Sequence, residues 1–117
     1  MKLIAPAPAL RRPAIVTLMA GLLAWTGHAA APTPHDHVVT MANMSYGKVP
    51  SDLKVGDTIT WVNHDSVAHT VTARDRSFDW RLNPGQSVQQ TLQKDGSFAF
   101  YCIYHTAMRG TLKVAAQ

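Results

Sequence analysis

Short runs in which apolar and polar residues alternate recur along the chain, and this period of two predicts strands with one face turned to a core. In residues 57–63, Asp-Thr-Ile-Thr-Trp-Val-Asn, Ile59 and Trp61 alternate against Thr58 and Thr60. Residues 69–73 repeat the arrangement, with His69, Val71 and Ala73 on one face and Thr70 and Thr72 on the other. Residues 37–41, 87–92, 97–102 and 110–115 complete the set, and in 97–102 the side chains of Phe98, Phe100 and Cys102 share one face. Turn chemistry separates the runs: Val55-Gly56-Asp57, Asn63-His64-Asp65-Ser66, Asn83-Pro84-Gly85-Gln86 and Lys94-Asp95-Gly96. No segment of useful length has a helical period. The pattern therefore predicts an all-β, antiparallel Greek-key sandwich of about seven or eight short strands.

The first thirty residues do not fit this pattern. Lys2, Arg11 and Arg12 precede an uncharged apolar run, residues 14–25, that gives way to the small residues Gly27, Ala29, Ala30 and Ala31. That order is the design of a secretory signal, and the run is shorter than the roughly 20 apolar residues a spanning helix needs. The expected division is a cleavable signal at 1–29, cut within about two residues of Ala30, a flexible Pro-broken lead-in at 30–36, and one domain at 37–117. Cutting there places the domain in the periplasm or otherwise outside the cytoplasm, with no stable membrane association. The adjacent Arg11 and Arg12 suggest twin-arginine export, but Pro13 follows them directly and no Ser or Thr precedes the pair.

Export changes the reading of charge. The whole chain of 117 residues carries 11 Lys+Arg against 7 Asp+Glu. Without Lys2, Arg11 and Arg12, eight basic residues face seven acidic ones, all Asp. No basic cluster is left to follow a phosphate backbone, so nucleic acid is excluded as a partner. A small exported domain commonly adds disulfides or a metal to a marginal core. The single Cys102 cannot form an internal disulfide, and what surrounds it decides its use.

Directly after the 97–102 run comes Cys102-Ile103-Tyr104-His105-Thr106-Ala107-Met108-Arg109-Gly110, which brings a thiolate, an imidazole and a thioether onto one tight loop. A sandwich that pairs this region with the 69–73 run adds His69 as a fourth donor. Thiolate and thioether suit Cu(I), imidazole suits both oxidation states of copper, and zinc has little use for Met. His69, Cys102 and His105 with an axial Met108 thus form a candidate site for one copper ion. A rigid set that satisfies neither oxidation state fully rearranges little on electron transfer.

At these residues the chain resembles the blue copper proteins, or cupredoxins, and among them the amicyanin-like group. The resemblance covers about Val38 to Val114 and rests on Met44-Ser45-Tyr46, on residues 55–63, on His69-Thr70-Val71, on residues 96–102 and on the Cys-x2-His-x2-Met loop followed by Arg109-Gly110. It implies a type 1 copper electron carrier with His69, Cys102, His105 and Met108 as ligands. The other expectation is a module that buffers or delivers copper. Four positions depart from the family pattern. Ala68 and Thr70 stand where Pro and Asn often flank the first ligand His, so any bond tying the two ligand segments together would have to use the Thr70 hydroxyl or its backbone N–H. Tyr104 and Thr106 replace the prolines of the amicyanin loop, which predicts a looser loop.

Several other residues carry weaker chemistry. His64, in its polar turn, is expected to be solvated. His35 and His37 with Asp36 resemble a metal clip but sit at a mobile leader. Met41 and Met44 are expected to fill the core. Ala68, Ile103, Tyr104 and Ala107 should surround the emerging edge of His105 as a small apolar patch for weak docking of redox proteins of dehydrogenase or cytochrome type, the chain itself being a monomer. An enzyme is not expected, because Cys102 and His105 have no orienting acid in the loop and so small a domain leaves little room for a substrate cleft.

Overall fold

A computed structural model of the chain describes residues 2–6, 8–10, 14, 21 and 24–117. It divides into the units Met1–Ala30 and Ala31–Gln117. Of the expected signal segment 1–29, residues 1, 7, 11–13, 15–20 and 22–23 lie outside the described residues. Among the described residues, no helix is long and apolar enough to cross a membrane.

The second unit is built of strands: β1 (Asp36–Ala42), β2 (Ser45–Tyr46), β3 (Leu53–Lys54), β4 (Thr58–Asn63), β5 (His69–Ala73), β6 (Asp79–Leu82), β7 (Ser87–Thr91), β8 (Gly96–Tyr101) and β9 (Arg109–Ala115). They form two sheets, ordered β2-β1-β4-β7 and β3-β9-β8-β5-β6. The chain passes from one sheet to the other after β2, β3, β4, β6 and β7. β4 shows the expected alternation: Ile59, Trp61 and Asn63 are buried, while Thr58, Thr60 and Val62 are partly covered.

Two features differ from the expected antiparallel set. β1 runs parallel to β4, and β3 runs parallel to β9. Periodicity reports which side chains turn inward but not which edges meet, and both parallel pairs join strands that are distant in sequence. There are also nine strands among the described residues rather than seven or eight. Two of the nine, β2 and β3, have only two residues each and carry no readable period. The four-residue β6, Asp-Trp-Arg-Leu, lies at a sheet edge with two charged residues, a composition that reads as loop.

The core between the sheets centres on Trp61 and Phe100, whose rings meet edge to face at 5.2 Å, with Tyr46 edge-on to Phe100 at 4.9 Å. Trp61 and Trp80 both donate their indole N–H to Oε1 of Gln90, at 3.0 Å each, so that one buried amide oxygen satisfies two rings. Met41 is fully buried as expected. Met44 is not: with Asn43 it forms the two-residue β1–β2 turn, both residues at positive φ (53° and 58°), and its side chain is exposed. Asp36, expected in the lead-in, is the first residue of β1 and accepts the Thr58 hydroxyl at 2.6 Å.

Candidate metal centre

β5 and β8 are antiparallel neighbours, with Thr72 opposite Tyr101 and Ala73 opposite Phe100. Continuing that register sets Val71 against Cys102 and Thr70 against Ile103. Opposed residues share a face, and residues two apart on a strand do as well, so His69 and Cys102 are turned the same way by the sheet itself. The loop after β8 then bends His105 back. It is closed by Met108 N–H donating to the His105 carbonyl at 2.8 Å and Cys102 N–H donating to the Met108 carbonyl at 3.0 Å.

Sγ of Cys102 lies 3.8 Å from Nδ1 of His69 and 3.9 Å from Nδ1 of His105. The two imidazole rings meet edge to face at 5.2 Å. These three donor atoms all lie within 4.8 Å of one another, close enough to share one ion. Cys102 and His69 are fully buried, while His105 is partly exposed. Met108 is buried in the same core as Cys102. Burial pushes the Cys102 thiol up, but the Thr70 N–H, the two imidazoles and the Tyr104 N–H outweigh it and bring it down to about 6. The cysteine is thus prepared as a thiolate, the form that binds metals.

Asp65 fixes the state of His69. Its Oδ2 lies 2.7 Å from His69 Nε2, and a carboxylate can only accept there, so Nε2 carries a proton and Nδ1 is the nitrogen left for a metal to take. The same carboxylate accepts the N–H groups of Asn43 at 2.7 Å and Met44 at 2.9 Å. The Met44 N–H first, then His69, hold the Asp65 carboxyl below its ordinary value. Asp65 was not legible as a site residue: it stands in a turn whose composition reads as solvated. Its neighbour His64 is exposed, as expected.

Thr70 supplies both of the expected ties. Its N–H donates to Cys102 Sγ at 3.3 Å, and its hydroxyl oxygen accepts the Ile103 N–H at 3.0 Å. Its carbonyl accepts the hydroxyl of half-buried Tyr46, whose ionisation burial pushes up. Arg81 adds a further brace, its Nε donating to the Tyr104 hydroxyl at 2.9 Å. These bonds brace the loop at two consecutive residues, Ile103 and Tyr104.

His35 and His37 do not form a metal cluster among the described residues. The His35 N–H and the His37 ring at Nε2 instead bind the two oxygens of Asp57, at 3.0 and 3.1 Å, which ties the start of β1 to the turn before β4. In the loop that carries His105, Ile103 and Tyr104 stand open to solvent. Arg74 lies over the Tyr101 ring at 4.5 Å and Arg81 beside Tyr104 at 5.9 Å, so these two stack individually on aromatics.

A family model described as a cupredoxin-like domain matches residues 14–114. Amicyanin of Paracoccus denitrificans is 29% identical over 83 residues, which cover 66% of this chain and 63% of that protein, so the match spans less than two thirds of that relative's length. Amicyanin of Paracoccus versutus is 30% identical over 93 residues, covering 74% of this chain and 70% of that protein. The crystal structure of the Paracoccus versutus amicyanin superposes with a TM-score of 0.58 at 26% identity, over 70% of this chain and 81% of that one. A reduced-state amicyanin mutant gives 0.58 at 28% identity, over 70% and 82%.

Proposed function

This chain belongs to the cupredoxin-like domain family, in its amicyanin-like group, and from that premise we propose that it carries single electrons on one copper ion that His69, Cys102, His105 and Met108 would hold. The observation that carries the reading is the convergence of one sulfur and two Nδ1 atoms within 4.8 Å. The donor set fits copper: a soft thiolate at lowered pKa, two imidazoles and a buried thioether, with no carboxylate oxygen among the converging atoms. Asp65 lies close to His69, but on the Nε2 side, away from the sulfur.

Bound copper supplies a one-electron couple between Cu(I) and Cu(II). The protein's part is to keep the donors still. Thr70 N–H holds the Cys102 sulfur, Asp65 holds the orientation and tautomer of His69, and the backbone bonds among Cys102, His105 and Met108 hold the loop closed. Donors fixed in this way do not reorganise when charge changes, which is the requirement for fast transfer. His105 is the ligand nearest to solvent, and the apolar Ile103 and Tyr104 beside it suit brief docking of redox proteins without tight binding. The protein is a carrier and not an enzyme.

The same reading takes residues 1–29 as an export signal, 30–36 as a lead-in and 37–117 as the copper domain, working as a monomer in the periplasm. Its support is the basic start, the short apolar run and the small residues at 27–31. The mass of the exported chain tests it: a start near Ala30 supports the division, and retention of Met1 contradicts it. Voltammetry of the copper-loaded domain tests the carrier role. A reversible one-electron wave with fast exchange supports it, whereas an irreversible response with ready transfer of copper to a chelator favours metal buffering or delivery.

A further inference from the structure

We propose that Asp79, on the outer edge strand β6, is a positioning residue for the copper loop, acting through the hydroxyls of Thr72 and Thr70 on the Ile103 amide beside Cys102. Thr72 and Asp79 are directly opposed in the β5–β6 pair. Their side chains meet at 2.8 Å, Thr72 Oγ1 lies 2.9 Å from Thr70 Oγ1, and Thr70 Oγ1 accepts the Ile103 N–H at 3.0 Å.

Counting protons fixes the direction of this chain. An ionised carboxylate only accepts, so the single Thr72 hydroxyl proton goes to Asp79. Thr72 oxygen then has only lone pairs to offer Thr70, and the Thr70 hydroxyl proton must go to Thr72. That leaves the lone pairs of Thr70 Oγ1 for Ile103. Each bond polarises the next, so the negative charge at the surface strengthens the acceptor at the loop. Thr70 is 1% exposed, so its hydroxyl is shielded from bulk solvent. Asp79, by contrast, is exposed, and a surface Asp–Thr pair is ordinarily of small consequence. Here the pair ends on the residue whose own N–H holds the Cys102 sulfur at 3.3 Å, so the relay and the sulfur bond act through one side chain and its backbone.

The relay itself does not depend on metal; only its effect on the couple rests on the proposed copper site. The experiment therefore has two arms. Amide exchange by NMR on the metal-free domain compares wild type with Asp79→Ala, Thr72→Val and Thr72→Ser. Loss of a charge-assisted bond predicts Ile103 exchange about fivefold faster in Asp79→Ala and Thr72→Val, with Phe98 and Leu112 unchanged and with Thr72→Ser retaining the wild-type rate. Unchanged Ile103 exchange in both variants overturns the proposal, and so does a uniform acceleration at all three amides, which reports only lost global stability. In the copper-loaded domain, the reduction potential should shift in Asp79→Ala and Thr72→Val and return in Thr72→Ser. A potential that ignores Thr72→Val contradicts the positioning role. Failure of every form to bind copper, with the Ile103 effect intact, overturns the copper site and leaves the relay standing.

Discussion

The Asp65 carboxylate stands 2.7 Å from the Nε2 atom of His69 while also receiving two backbone N–H groups from the turn at Asn43 and Met44. The imidazole is therefore held by a group that is itself held. Asp65→Ala releases the ring, allows the tautomer with the proton on Nδ1, and strands two turn amides. Copper affinity, measured by competition with a chromogenic chelator, should fall about 10–100-fold. Unchanged affinity would show that the packing of His69 orients it without help.

Acid should loosen the start of β1. Asp57 accepts the His35 N–H, the His37 ring and the Lys54 N–H, and these bonds, the His35 one foremost, bring its carboxyl to about 2 from the ordinary 3.8. A carboxyl depressed in the folded state stabilises above its unfolded value, and that contribution is lost as pH falls from about 4 toward 2. Thermal melts of the metal-free domain across this range should fall more steeply for wild type than for Asp57→Asn. Parallel curves would mean that the carboxylate is not linked to folding.

Gly110 faces Phe100 across the β8–β9 pair, and a Cβ placed on it would come within 2.5 Å of the phenyl ring. Phe100 cannot yield freely, since Trp61 and Tyr46 pack against it. Gly110→Ala should cost about 1–3 kcal/mol of stability, the usual scale of overpacking, read by urea denaturation. The glycine is required here by close approach, and a neutral substitution would show that the aromatic cluster repacks at little cost.

The convergence of Cys102, His105 and His69 was legible because it is written in spacing: Cys102 and His105 fall on one short loop, and period two turns His69 and Cys102 toward the same side. The inward faces of β4, β5 and β8 were readable for the same reason. Edge pairing was not, since alternation says nothing of partners, and β1 with β4 came out parallel. β6 was missed because its alternation is short and half charged, yet it supplies Arg81 to Tyr104 and Asp79 to Thr72. Asp65 was unreadable for a different reason. A carboxylate in a polar turn looks solvated until the fold brings β1 and His69 to it. For Thr70 the sequence narrowed the choice to its hydroxyl or its N–H, and the fold uses both.

The sulfur of Cys102 and Nδ1 of His69 and His105 converge as one copper ion in a type 1 centre requires. Titration of the metal-free domain with Cu(II), followed by visible absorption and EPR, decides whether they bind it so. One equivalent should produce an intense sulfur-to-copper charge-transfer band and a compressed copper hyperfine splitting, both absent in Cys102→Ser. A colourless complex with the ordinary tetragonal Cu(II) spectrum, or a band that survives in Cys102→Ser, would contradict it.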